Sequence, residues 1–420
     1  MQRAAVAAAG TTTSFTSPHG PYDTTSDQCA LCHRTHTAQG RALLVSASPQ
    51  SVLCFTCHDG TGSNLNVSAQ YGGSVKPNDP TTASYYTHDI SQPTVHILAT
   101  SDEFGAVLNR HTECGDCHNP HRGAEADSTS SPAGTAWTAS GRISGISGLA
   151  VTNGYGGSTP TYAFQDGANT PITAEYQLCL KCHAGYTKLL PKDPAHPSRD
   201  MLDAGIEFNP ANDSFHPVEG AGTNQTPKMA LSLSGPSAYK LWSFTPSSTV
   251  RCTNCHSAPV PAAVSVAAGS DLAPHASANR GILAAKYEDR VLASSTASFR
   301  ESNFALCFLC HTDSPFVTAS TAATNFGLHQ MHTGGIAGNG SSGGDIDTPG
   351  AGGGNALCAE CHFRPHSTAA TPEQGTRLVA FAPNVLANKG VRAWTSAGTG
   401  AGSCTLVCHG KEHDAESYSP

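Results

Sequence analysis

Hydrophobic residues are sparse along this chain and occur in short clusters separated by polar stretches. Two clusters place residues at i, i+3, i+4 and i+7, the spacing of one helix face: Tyr176, Cys179, Leu180 and His183, and again Phe304, Cys307, Phe308 and His311. Alternating residues and turn residues within 123–175 predict a small hairpin. Elsewhere the pattern predicts loops and short helices.

The apolar content is too low for an ordinary hydrophobic core. Leu, Ile, Val and Phe together number 68 of 420 residues, a share typical of disordered chains that bind no cofactor. Charged residues make up only 13 %, and the net charge of −8 argues against nucleic acid as a partner. No apolar run reaches the roughly 18 residues of a membrane-spanning helix.

All 16 cysteines belong to one recurring motif, in which two cysteines are followed at once by histidine. In chain order, motifs 1 to 8 are Cys29/Cys32/His33, Cys54/Cys57/His58, Cys114/Cys117/His118, Cys179/Cys182/His183, Cys252/Cys255/His256, Cys307/Cys310/His311, Cys358/Cys361/His362 and Cys404/Cys408/His409. Motif 8 has three residues between its cysteines, whereas the other motifs have two.

This pattern is the attachment signature of haem c. The two thiols add to the two vinyl groups of one porphyrin, and the histidine binds the iron as its proximal ligand. A single pair of cysteines at this spacing is equally typical of a zinc knuckle or a redox dithiol. Because every pair is followed by histidine, the sequence predicts eight haem c groups, with the 16 cysteines as attachment points and the eight motif histidines as proximal ligands.

Eight large apolar macrocycles supply the core that the side chains lack. We therefore expect mostly irregular coil with short α-helices and few short strands, wrapped around a chain of eight covalent haems, with little conventional hydrophobic core. The two helical stripes are expected to face haem. We treat 1–420 as one octahaem unit, composed of 1–122 with haems 1–3, the Gly/Ser/Thr-rich insert 123–175, 176–333 with haems 4–6, the Gly-rich loop 334–354, and 355–420 with haems 7 and 8.

The 21 histidines exceed the number of proximal positions and leave candidates for the sixth, distal position of each iron. These candidates are His19, His36, His88, His121, His216, His275, His329, His332 and His366. His96 is a weaker candidate, His111 is held in reserve, and His413 is expected to be exposed and unligated. Only four methionines are present, so we expect bis-histidine ligation throughout, which favours low potentials.

Several of these candidates have a predicted use. His36, His121 and His366 follow a motif histidine too closely to reach the opposite face of the same iron, so each is expected to serve another haem. His329 and His332 lie one helical turn apart and suit two neighbouring irons. His19 lies near the N-terminus and is a candidate for ligating a haem of another subunit.

The stretch CALCHRTHTAQGRALLVS…VLCFTCHDG resembles the doubled CxxCH modules of multihaem cytochromes. These modules, the spaced second histidines and the Gly/Ser/Thr-rich loops are similar to those of the extracellular multihaem cytochromes of metal-reducing prokaryotes. Some of these cytochromes polymerise into nanowire filaments. This resemblance implies a continuous haem stack, self-association and a distal histidine donated between subunits. The longer motif 8 and the total of eight haems do not mark any one member, so the haem order is not carried over.

Saturated irons leave no open position for a substrate, and the sequence contains no CxxCK motif of the kind found in some multihaem reductases. These features favour electron transfer over catalysis. The alternatives are a monomeric periplasmic or surface carrier, and an octahaem reductase with one open haem. Because haem c is attached outside the cytoplasm, we expect an export leader, an extracellular or cell-surface location with the periplasm as alternative, and partners such as other copies of this chain, other multihaem cytochromes or extracellular electron acceptors.

Overall fold

A computed structural model describes most of the chain. The described residues are 19, 27–46, 49–63, 66–71, 86–92, 111–123, 134–139, 141–187, 201–258, 273–287, 301–318, 320–333, 356–369, 375–398, 400–408 and 411–419. The predicted Gly-rich loop 334–354 lies outside these residues.

The α-helices of the described residues are short. They are α1 Cys29–Cys32, α2 Gln50–Cys54, α3 Val67–Gln70, α4 Cys114–Cys117, α5 Glu175–His183, α6 Ala204–Glu207, α7 Pro227–Ser234, α8 Cys252–Cys255, α9 Ala305–Phe308, α10 Ser314–Val317, α11 His329–Thr333 and α12 Cys358–Cys361. Short 3-10 helices cover Arg41–Leu43, Gly141–Ile143 and Glu301–Phe304. Within the described part of the chain, no helix has the length and apolar character needed to span a membrane.

The described strands form three small antiparallel sheets. β1 (Tyr86–Thr87) pairs with β4 (Ala276–Ser277), β2 (Gly148–Thr152) pairs with β3 (Thr161–Gln165), and the third sheet has the order β5 (Ala393–Ser396), β6 (Gly402–Cys408), β7 (Lys411–Tyr418). The β2–β3 hairpin confirms the one predicted within 123–175. Its connection contains Gly157 at φ +75°, a conformation that glycine adopts without steric cost.

Buried hydrophobic side chains form small, separate clusters. The largest in the described residues packs Leu149 of β2 against Leu180 and Ala184 at the end of α5, together with Ala204, Phe208 and Val218. A second contains Phe304, Phe308, Leu357 and Ala359, with Cys307 and Cys358 packed against it. Phe381, Val385 and Leu406 form a third, in contact with Cys361, Cys404 and Cys408. The expected fold, coil and short elements with little conventional core, is confirmed.

One of the two helices predicted from these spacings is present in the structure, and the other is not. α5 covers Tyr176 to His183 as one helix, as predicted. The prediction of one helix from Phe304 to His311 is wrong, because a 3-10 helix ends at Phe304 and α9 ends at Phe308. Phe304 interrupts the helix with φ −127° and ψ 27°, and its ring is fully buried in the second cluster. Tertiary packing of this ring therefore overrides the local helical pattern.

The largest cluster allows a test of side-chain packing. Leu149 is fully buried, so Leu149→Ala should lower the free energy of unfolding by about 2–5 kcal/mol. Leu231→Ala removes the same atoms from a side chain that is 51 % exposed and should have little effect. Guanidinium unfolding of the haem-loaded protein, followed by circular dichroism, compares them. Equal midpoints for the two variants would contradict the packing described here.

Candidate haem sites

Motifs 1, 3, 5 and 7 share one local geometry. Each forms a single helical turn from its first to its second cysteine, in α1, α4, α8 and α12. The backbone N–H of the motif histidine donates to the carbonyl of the first cysteine at 2.8–2.9 Å. Because residues i, i+3 and i+4 share one helix face, both thiols and the imidazole are held on the same side of the turn.

The residue before the second cysteine caps three of these turns. The side chains of Asp116, Asn254 and Glu360 each accept the backbone N–H of the residue just ahead of the motif, at 2.6, 2.7 and 2.9 Å. Such a bond satisfies one of the N–H groups that a helix start leaves unpaired. A cap within the motif explains how a four-residue helix forms in an otherwise irregular chain.

A downstream turn holds the imidazole of each of these four motifs. Nδ1 of His33, His118, His256 and His362 lies 2.8, 3.1, 2.7 and 2.8 Å from the carbonyl oxygens of Ala42, Arg142, Gly281 and Leu378, respectively. The turns contain residues with positive φ, including Ala42 at 53°, Gly141 at 59°, Ile282 at 56° and Leu378 at 55°. Non-glycine residues rarely adopt this conformation, which costs on the order of 1–3 kcal/mol each and is common at functional sites.

Motifs 2, 4 and 6 differ because their first cysteine lies in a helix that begins before it. α2 ends at Cys54, α5 runs through Cys179 to His183, and α9 contains Cys307. The chain therefore repeats a module of two motifs. The odd motif lies on a single helical turn, and the first cysteine of the even motif lies in a helix that begins before it. Motif 8 departs from this repeat, since its cysteines lie on strand β6.

Thiols of consecutive motifs lie close together. Cys54 and Cys114 share a hydrogen bond, as do Cys179 and Cys252, and each bond raises the pKa of its donor thiol, Cys114 or Cys179. Burial first, and then the neighbouring Cys54 and Cys57, raise the pKa of Cys32. Corresponding electrostatic contacts join Cys117 to Cys179 and Cys182, Cys255 to Cys307, Cys358 to Cys307, and Cys361 to Cys404 and Cys408. The order of the motifs in space thus follows their order in the sequence, which sequence analysis left undetermined.

A second imidazole ring stands opposite the motif histidine in five of the motifs. The ring-centre distances are 6.0 Å for His33 and His121, 5.9 Å for His58 and His19, 6.0 Å for His118 and His275, 6.2 Å for His183 and His88, and 5.9 Å for His256 and His366. Their interplanar angles range from 15° to 86°.

This spacing fits an iron held between two imidazoles. Two metal–nitrogen bonds of about 2 Å each, and about 1 Å from each ring centre to its nitrogen, give about 6 Å. The angle between the ring planes is free to vary, because each ring can rotate about the axis through the iron. The chemistry of the donor set and its geometry therefore both fit six-coordinate haem c.

Two further buried histidines, His311 and His329, have other histidines nearby. Burial first, and then His216, Lys240 and His362, lower the pKa of His311 to about 3. Burial and then His362 and His332 lower the pKa of His329 to about 3. His311 therefore lies near both His216 and His362, and His329 lies near both His362 and His332. These buried rings remain neutral at neutral pH, the form in which imidazole binds a metal.

The Nδ1 atoms of the opposing rings also have acceptors. Nδ1 of His88 and His275 lies 2.8 Å from Pro274 O and from Gln70 Oε1, respectively, and Nδ1 of His366 lies 3.1 Å from a carboxylate oxygen of Glu207. When Nδ1–H donates to such an acceptor, the lone pair of Nε2 is left to bind a metal. The hydrogen bonds thus select the tautomer that iron requires.

The opposing histidines occur in linked pairs. The Nδ1 atoms of His19, His88 and His216 contact the carbonyls of Pro120, Pro274 and Pro365, each of which directly precedes the opposing histidine of the other motif of the same module. Strands β1 and β4 align the second pair, and the bridge between Phe215 and Ser367 aligns the third. Each of the first two modules therefore receives its opposing rings from two chain segments bonded to each other, and the segments of His216 and His366 are bonded in the same way.

The remaining candidates are placed differently. His36 is exposed, and no histidine ring of the described residues stands against it. His111 is buried with Nε2 3.7 Å from Glu113, an orientation unlike that of the paired rings. His96 and His409 lie outside the described residues. His413, expected to be exposed, has a side chain only 18 % exposed and faces His332 at 6.4 Å.

Comparison with known proteins gives one match. The family described as the doubled CXXCH motif matches residues 19–63, which contain motifs 1 and 2. The motif indicates a multihaem c-type cytochrome. No curated protein and no solved structure matches the chain. The structure shows that the local geometry of the matched stretch recurs in motifs 3 to 7.

Removing an opposing ring should change the spin state of one iron. His275→Ala should leave the iron at motif 3 five-coordinate, because His275 stands opposite His118. We expect a new high-spin signal in electron paramagnetic resonance, reversed by added imidazole. His36→Ala is the control, since His36 is exposed. An unchanged low-spin spectrum for His275→Ala would contradict this pairing.

Glu207 distinguishes motif 5 from its neighbours. Its side chain is 5 % exposed and lies 3.1 Å from Nδ1 of His366. A carboxylate at this position makes the imidazole a more basic ligand than a carbonyl does, which stabilises the oxidised iron. Glu207→Gln should therefore raise the potential at motif 5 by on the order of 50 mV, about a tenfold change in a one-electron equilibrium.

A spectroelectrochemical titration tests this expectation. Asp166→Asn is the control, because hydrogen bonds from Ala168 N at 2.9 Å and Asn169 Nδ2 at 2.6 Å lower the pKa of Asp166, so this variant removes one negative charge without touching a histidine. Equal shifts in both variants would attribute the effect to net charge and refute a specific role for the Glu207–His366 bond.

Proposed function

We propose that this chain is an octahaem cytochrome that conducts electrons through bis-histidine haems in motif order, as a subunit of an extracellular filament. The observation that carries the proposal is the series of opposed imidazole pairs, combined with contacts between the thiols of consecutive motifs. When bound, haem c supplies a one-electron iron couple at each motif.

The chain's own residues hold both axial positions of each site. The 16 cysteines attach the cofactor, the motif histidines bind one side of the iron, and the opposing histidines occupy the other. Hydrogen bonds at Nδ1 fix the rings before and after electron transfer, so little reorganisation accompanies a change of oxidation state. Filling the sixth position excludes substrates and favours transfer over catalysis.

The motif order gives the path two ends. Motif 1 is at the surface, with Cys29 and Cys32 exposed and the neighbouring Leu31 70 % exposed. Motif 8 lies at the opposite end of the series, on the β6–β7 hairpin. An electron entering at one end passes every motif before it leaves at the other. This arrangement suits contacts between successive subunits, and the resemblance to filament-forming cytochromes supports assembly.

We do not propose His19 as the residue that joins subunits. Its ring stands 5.9 Å from His58 of the same chain, a geometry that supports a ligand within the subunit. Subunits are instead proposed to assemble through the exposed surface of motif 1.

Electron cryomicroscopy of the secreted, undenatured protein tests the function. Filaments with unbroken haem density across the subunit joints are expected. Discrete particles with eight saturated haems would reject the filament and leave a monomeric carrier. A five-coordinate haem in a cavity, with carbon monoxide binding to the reduced native protein, would reject the proposal in favour of an octahaem reductase.

A further inference from the structure

Lys181 is a fully buried cation inside motif 4. It stands on α5 between Cys179 and Cys182, and only 1 % of the residue is exposed. Lysine is almost never fully buried unless its ammonium group has partners, because removing a charge from water is costly. The partners of Lys181 therefore indicate why a cation is kept at this position.

The ammonium group of Lys181 is bonded to motif 3. Nζ donates to the backbone carbonyl of Asp116 at 2.9 Å and to the hydroxyl of Ser147 at 3.1 Å. Asp116 directly precedes Cys117 at the end of α4, where the carbonyls of a helix lack partners within it. The side chain thus spans the joint between two motifs, from the residue beside Cys182 to the residue beside Cys117.

Lys181 also acts electrostatically on motif 3. Burial raises the pKa of the Cys117 thiol to about 12, and the charge of Lys181 opposes this rise. Asp116 raises the same pKa, but its effect is smaller than that of Lys181. The ammonium group therefore lies within electrostatic range of a point at which motif 3 attaches its cofactor.

The joint between motifs 4 and 5 is built differently, with charges of both signs. One carboxylate oxygen of Glu175 accepts a hydrogen bond from the hydroxyl of Thr253 at 3.0 Å, and the other lies 3.6 Å from Nε of Arg251. The charges of Glu175 and Arg251 largely cancel at a distance. By contrast, the carbonyl and hydroxyl that accept from Lys181 are neutral, so these two bonds hold the ammonium group in place without removing its charge.

We propose that the buried charge of Lys181 raises the reduction potentials of the haems at motifs 3 and 4. This inference rests on the function proposed above. Reduction adds one electron to an iron without making or breaking a bond, and a nearby cation stabilises the added electron. At an effective dielectric constant of about 20, a unit charge about 10 Å away shifts a one-electron equilibrium on the order of tenfold. Burial protects this effect from screening by salt.

The charge makes the second module a resting place for electrons along the series. Glu207 favours the oxidised iron at motif 5, whereas Lys181 favours the reduced irons at motifs 3 and 4. Electrons therefore collect at motifs 3 and 4 and leave towards motif 5 against a step in potential. Lys181 tunes this pair of sites without binding either iron.

Variants of Lys181 in the full haem-loaded protein test the inference by spectroelectrochemical titration. Lys181→Gln removes the charge but keeps a hydrogen-bond donor, and Lys181→Met removes both. Each should lower the potentials of two haems by about 59 mV, a tenfold change in a one-electron equilibrium. Lys389→Met is the control, because it removes the same charge from a side chain that is 70 % exposed. Unchanged potentials in both Lys181 variants, or an equal shift in Lys389→Met, would overturn the inference.

Two further measurements separate charge from structure. Ser147→Ala removes an acceptor of the ammonium group and keeps its charge, so the potentials should match those of the wild type; a shift as large as in Lys181→Gln would overturn the inference. Mass spectrometry of the peptides containing motifs 3 and 4 counts their haems. Haem lost from both Lys181 variants would assign Lys181 a structural role and overturn the inference alone, whereas wild-type peptides without haem would overturn the octahaem function as well.

Discussion

The hydrogen bond at Nδ1 is the interaction on which most of the paired histidines depend. It fixes the tautomer, directs Nε2 towards a point about 3 Å from the centre of each of the two rings, and connects the ring to a separate part of the chain. At His33, His256 and His362 the acceptor is the carbonyl of a turn that contains positive-φ residues. The strain in these turns persists because the surrounding backbone holds them, with Val45, Ala284 and Ala380 donating to the second cysteine of their motifs at 2.9, 2.7 and 2.9 Å.

Repetition of the two-motif module explains how a chain with few aliphatic residues is organised. Motifs 3, 5 and 7 form single capped turns, motifs 2, 4 and 6 follow the start of a helix, and linked segments bring in opposing rings. Small hydrophobic clusters join these parts, as Leu149 and Leu180 do between the β2–β3 hairpin and α5. The described hydrophobic side chains form only small clusters, which hold these parts in position around the histidine pairs.

The features that depend on local spacing could be predicted from the sequence. The coil-rich fold, the β2–β3 hairpin and α5 followed from composition and periodicity. The predicted single helix from Phe304 to His311 was wrong, because the buried Phe304 has a non-helical backbone conformation. The partner of each histidine could not be predicted, since His88 and Pro274 are 186 residues apart in the chain. The repeated Pro-His pairs at Pro120, Pro274 and Pro365 were a signal in the sequence, but their use became visible only in three dimensions.

The linked pairs of opposing histidines also determine when each site can be completed. A chain made from its N-terminus presents motifs 3 and 4 well before the segment that carries His275, and motif 5 well before His366. Contacts between residues far apart in the chain form slowly, so the opposing rings of motifs 3 and 5 depend on segments made much later than the motifs themselves. Loss of the segment around His366 would consequently leave motif 5, in the middle of the series, without its opposing histidine.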